Sequence, residues 1–160
     1  SLFALAGGLA AVDPGPFHRR LDARLSTRVF AGALWFLAVG LSFLWLSDLI
    51  PAALAGTAPL IVREFGPQGL ATVAIDLGVV VPAMAVTAIL LSKQRPSGYL
   101  LTGVVLVFGA LIGPGLVAIT VADYLGGVAL TPGIVIGTVV PPLVSTVLAV
   151  RFLLVLGQGA

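Results

Sequence analysis

No cysteine occurs in this 160-residue chain. That excludes disulfides, thiolate metal sites and cysteine nucleophiles. A single histidine, His18, rules out a multi-histidine metal site formed within the chain. Charge is scarce as well: Asp, Glu, Lys and Arg make up 9% of residues, against roughly 25% in an ordinary soluble domain. The net charge of +2 reflects a few arginines with little to offset them and gives no argument for nucleic acid. What is abundant is apolar surface. Hydrophobic residues reach 59% and the mean hydropathy is +1.20, which leaves too little polar surface for a water-soluble fold.

The apolar residues are gathered into four long runs, at about 29–49, 70–91, 100–121 and 133–150, with almost every charge between them. About 20 helical residues at about 1.5 Å each cross a hydrocarbon core of about 30 Å. The chain therefore reads as a single all-α domain, a polytopic transmembrane helix bundle with four full spans. Residues 1–12 (SLFALAGGLAAV) are apolar but too short to cross. They read as part of a fifth helix, so that the chain is the later portion of a larger membrane protein. The competing reading, a signal-peptide remnant, lacks the basic leader such peptides carry.

Charge orients the bundle. Arg19, Arg20, Arg24 and Arg28 precede the first span, Lys93 and Arg95 lie between the second and third, and Arg151 follows the fourth. These positions share one side, and only Arg63 lies on the other. The positive-inside rule places that basic side, with the C-terminus, in the cytoplasm of a cell whose plasma membrane holds the protein. Asp48, Glu64, Asp76 and Asp123 belong to the outer half, Asp13 and Asp22 to the inner. Arg19, Arg20, Arg24 and Arg28 suit anionic lipid, each gaining about 1 kcal/mol near such a surface. His18 in the same segment is read either as a pH-sensing or catalytic group or as a solvated, headgroup-facing side chain. Tyr99 and Tyr124 bracket the third span about 37 Å apart and are expected at the two headgroup regions, with Trp45 near the outer end of the first.

The longest outer loop is expected over 51–69. Within it, TAPLIVREFG reads as a short helix capped by Thr57, with Pro59 in its first turn and Gly66 at its end. The turn containing Pro96 and Gly98 is tight, which makes the second and third spans antiparallel neighbours. Small residues recur four apart at Ala74 and Gly78, Gly109 and Gly113, and Gly133 and Gly137. Such pairs let helix backbones approach closely in lipid, either within the bundle or against a second copy or a partner membrane protein. Pro82, Pro114, Pro141 and Pro142 lie inside spans, and each frees a carbonyl one turn earlier. Ser145 and Thr146 are candidate donors to those carbonyls.

Asp76 is the anomaly. It lies about 9 Å inside the second span, where a carboxylate costs on the order of 2–3 kcal/mol. Thr72 is one turn earlier. Asp48 closes the first span at a similar level, and Arg63 is the nearest cation in the intervening loop. The expected cluster Asp48–Arg63–Asp76 is read as a structural ion pair, as a proton or cation site, or as a collar at headgroup depth. No Ser–His or His–Glu arrangement reaches transmembrane level, and no lysine within a span supports a Schiff base. The expectation is therefore a non-enzymatic protein without cofactor or metal. A small-solute or proton- or cation-coupled transporter component using Asp76 stands as the alternative.

The stretches DLGVVVPAM (Asp76–Met84), KQRPSGYLL (Lys93–Leu101) and VFGALIG (Val107–Gly113) resemble a group of uncharacterised prokaryotic multi-pass integral membrane proteins. The resemblance implies further helices upstream and no known activity, and it raises interest in Asp76, Pro82 and Tyr99. A lysine often precedes the Gly-Ala of that group; Phe108 stands there in this chain.

Overall fold

The structure, a computed structural model, describes residues 26–127 and 132–157, the side chains of 132–134 excepted. The expected partial span 1–12, and with it His18, Arg19, Arg20 and Arg24, lie outside these residues. Helix α1 runs Thr27–Ala55 and a short α2 runs Leu60–Phe65. Helix α3 (Gly69–Ile75), a π-helical turn (Asp76–Val80) and α4 (Val81–Ser92) follow as one continuous span. Helix α5 covers Pro96–Leu125 and α6 covers Pro132–Gly157. Four of these units are long and apolar enough to cross a membrane, so the protein is a multi-pass membrane protein. Successive spans alternate in direction. Helix α1 packs on α4, α4 on α5, α5 on α6, and α6 touches α1 again.

The spans outrun the apolar runs because polarity and backbone hydrogen bonding end at different places. Pro51 was expected in the outer loop but lies inside α1. It removes one hydrogen bond without stopping the helix. The stop comes at Gly56, whose φ of 65° lets Thr57 N–H reach back to Ala52 O at 2.9 Å. Pro96 occupies the first turn of α5, where its missing N–H costs nothing. At the other end of the chain α6 continues six residues past Arg151.

Apolar helices in lipid gain little from burial as such, so close approach and satisfied hydroxyls hold the bundle. Helices α5 and α6 meet through the small residues. A methyl group placed on Gly109 would lie 2.7 Å from Ser145 Oγ, and one on Gly113 would lie 2.6 Å from Pro142 Cβ. The Gly109–Gly113 pair is therefore used inside the bundle. Gly137 faces Leu44 of α1 more loosely, at 3.9 Å. Ser42, Thr87, Ser92, Thr102 and Thr120 each donate to the carbonyl four residues earlier, which removes free hydroxyls from an apolar medium. Ser145 and Thr146 make no such bond among the described residues, so the carbonyls freed by Pro141 and Pro142 are not served by them.

The buried apolar side chains gather at one end. Phe30, Ala31 and Leu34 of α1, Ala88 and Leu91 of α4, Tyr99 and Leu106 of α5, and Leu148, Ala149 and Phe152 of α6 form one cluster. Phe30 and Phe152 meet with ring centroids 6.4 Å apart. Leu37, Ala38 and Met84 extend it toward the middle. Tyr99, expected at a headgroup, is 0% exposed. Its ring is core because Gly98 brings the start of α5 against the backbone of α4. Tyr124 is 67% exposed, as an interfacial ring would be. The clustered end carries Arg28, Lys93, Arg95 and Arg151 and is called the basic end below. The opposite, acidic end carries Asp48, Glu64, Asp76 and Asp123, together with Arg63.

Candidate functional site

The acidic end is organised by one face of α1. Trp45 and Asp48 are three residues apart and so project to the same side. The indole Nε1–H of Trp45 donates to Asp76 Oδ2 at 2.9 Å, across 31 residues of sequence. Asp48 points instead at the short helix α2. Its Oδ1 accepts from Leu60 N–H at 2.8 Å and its Oδ2 from Ile61 N–H at 3.2 Å. Those N–H groups open α2 and have no partner within it.

This arrangement corrects the cluster expected from sequence. The two carboxylates do not converge on Arg63. Arg63 is exposed at the end of α2 and makes no ion pair among the described residues. The physical reason is competition. Two backbone N–H bonds at a helix start, in the favourable field of its dipole, outweigh an exposed ion pair worth about 0–1 kcal/mol. Thr57 likewise does not cap α2, because Asp48 does so from α1. Thr72 is exposed and makes no hydrogen bond to Asp76.

Asp76 begins the π-helical turn, seven residues or about 10 Å into its span. Val81 N–H reaches past Leu77 to the carbonyl of Asp76. Pro82 follows and has no N–H to give to Gly78. One extra residue in the turn and a proline directly after it thus leave the carbonyls of Leu77 and Gly78 without their usual donors, within the turn that Asp76 opens. Turns of this kind are frequent at functional sites. Asp76 is half-buried, and its single hydrogen bond comes from a neutral donor. Among the described residues no cation pairs with it, and no group of three or more His, Cys, Asp or Glu side chains gathers to hold a metal ion.

The remaining prolines stay within continuous helix: Pro114 in α5, and Pro141 and Pro142 in α6. An apolar cleft of about 290 Å³ opens between α5 and α6, lined by Val117, Thr120, Val121, Tyr124, Val135 and Val139. None of the candidate residues lines it.

The partner that sequence reasoning missed is Trp45. Its position on the Asp48 side of α1 was readable, but nothing local signals a contact 31 residues away. Comparison with protein-family models, with curated proteins and with solved structures finds no match for this chain.

Proposed function

We propose that this chain is a non-enzymatic helical bundle of the cytoplasmic membrane, with its C-terminus in the cytoplasm, that self-associates through its second span. One contrast carries the self-association. Gly109 and Gly113 are filled by α6, whereas Gly78 has nothing within 4 Å of a methyl group built on it. Ala71 and Ala74 continue that open stripe along α3 and are exposed. It lies on the side of the span away from Asp76, whose carboxyl faces α1. A small-residue groove facing lipid admits a second copy's helix to close backbone distance.

The chain has no cysteine, so single introduced thiols report cleanly. Gly78→Cys should form a disulfide-linked dimer in membranes. Gly78→Leu should weaken dimerisation in detergent by about tenfold, or about 1.4 kcal/mol, while leaving helicity unchanged. Equal dimerisation of Gly78→Leu and the unsubstituted protein sinks the reading. In the same membranes Ser97→Cys, at the basic end, should react with an impermeant reagent only after the cells are opened.

A second reading is favoured by the Asp76 turn. A half-buried carboxyl in a turn that frees two carbonyls, with no cation paired to it among the described residues, is suitable for a monovalent cation or a proton. On this reading the protein is a component of a proton- or cation-coupled carrier. Proteoliposomes loaded with the cation and diluted into cation-free buffer should then exchange internal cation for external protons and acidify internally faster than protein-free vesicles. Asp76→Asn should return that rate to the protein-free value. Indistinguishable rates for Asp76→Asn and the unsubstituted protein rule the carrier out.

A further inference from the structure

Arg151 is the one charge in α6. Helix α6 continues beyond it through Phe152, Leu153, Leu154, Val155 and Leu156 to Gly157. The arginine itself is exposed, and no carboxylate pairs with it among the described residues. Its neighbour Phe152 is fixed in the core by Phe30 and lies over Gly103, so the position of Arg151 along the bundle is fixed too. It sits six residues, or about 9 Å, before the end of a 26-residue helix about 39 Å long. A hydrocarbon core of about 30 Å would end close to that level.

The face around Arg151 is apolar on both sides. Val147 lies four residues before it and Leu154 three after, and both are exposed, at 57% and 59%. Every carboxylate among the described residues lies at the other end of the bundle. A guanidinium at the edge of hydrocarbon extends its stem along apolar surface and places its head among phosphates.

We infer that Arg151 is a binding site for the headgroup phosphate of an anionic phospholipid whose acyl chains lie along Val147 and Leu154. A free phosphate would leave those two side chains unused, so the ligand is a lipid. The inference is independent of self-association and of which leaflet the basic end occupies.

The experiment is native mass spectrometry of the full chain released from vesicles of equal phosphatidylglycerol and phosphatidylcholine. The unsubstituted protein should retain phosphatidylglycerol in preference by about fivefold. Arg151→Gln should abolish that preference, and Arg95→Gln, in the α4–α5 turn, should leave it in place. Arg151→Lys keeps the charge but loses the two-pronged geometry, so its preference should fall by about two- to threefold. Millimolar inorganic phosphate should displace no lipid. Equal retention of the two lipids by the unsubstituted protein overturns the inference. So does a preference that survives Arg151→Gln, one lost with Arg95→Gln, or one displaced by inorganic phosphate. Should Arg151→Gln fail to fold, Arg151→Lys decides, and a preference it leaves unchanged overturns the inference.

Discussion

Gly98→Ala is expected to destabilise the bundle by about 3 kcal/mol, a loss of somewhat over 100-fold in the folded-to-unfolded ratio. The added methyl group would lie 2.5 Å from Leu91 N, 2.6 Å from Leu90 C and 2.9 Å from Leu91 Cα. These are backbone atoms of α4, so no side-chain rotation relieves the overlap. The start of α5 must move away, and it takes the fully buried Tyr99 with it. Gly115 supplies the control, because it sits in the same helix with open space around it. Gly115→Ala should be neutral or stabilising by about 0.5–1 kcal/mol, the ordinary gain of removing a helix-interior glycine. Reversible unfolding in mixed micelles measures both. If the two substitutions behave alike, the close α4–α5 approach is not what holds the turn.

Gly109→Ala is expected to cost about 2–3 kcal/mol, and Ser145→Gly is expected to restore most of it. The new methyl group would meet Ser145 Oγ at 2.7 Å and Ser145 Cβ at 2.9 Å. Ser145→Ala removes only the first of these, so it should rescue poorly. Ser145→Gly removes both, less about 1 kcal/mol for a glycine within α6. Contacting residues are expected to be non-additive, and a double-mutant cycle on unfolding free energies quantifies the coupling. A cycle with no coupling would mean that α5 and α6 do not cross at these residues. At Gly113 the added methyl group would meet Pro142 Cβ at 2.6 Å, an atom of a rigid ring that cannot rotate away.

These two sites show how much of the molecule was readable from sequence. The four spans followed from run length, and the short helix α2 from its turn residues, because both depend on local chemistry. The Gly109–Gly113 spacing announced a close contact, although not whether a neighbouring helix or another copy would fill it. The facing of the helices was not readable. A helix apolar on all sides has no polar face to mark its outside, so Tyr99 could be a core ring or an interfacial one with the same sequence around it. Boundaries failed for a related reason. Arg151 and Pro51 end apolar runs, yet neither ends the hydrogen-bonded helix. At the acidic end, Asp48 and Arg63 looked like partners by charge. The first backbone N–H groups of α2 took Asp48 instead, a preference that depends on where α2 sits in space.

The lopsided core has a mechanical meaning. Of the buried apolar side chains among the described residues, only Ala52 and Val73 lie toward the acidic end. The bundle is thus built like a clothes-peg, gripped at one extremity. Rigid tilting of one span against another turns about that grip, and displacement grows with distance from it. A swing of about 5° carried over about 30 Å of helix moves the far tip by about 2.6 Å. The Trp45–Asp76 bond lies on that longer lever arm, so thinning or stretching of the surrounding bilayer would strain it well before it disturbed the aromatic grip.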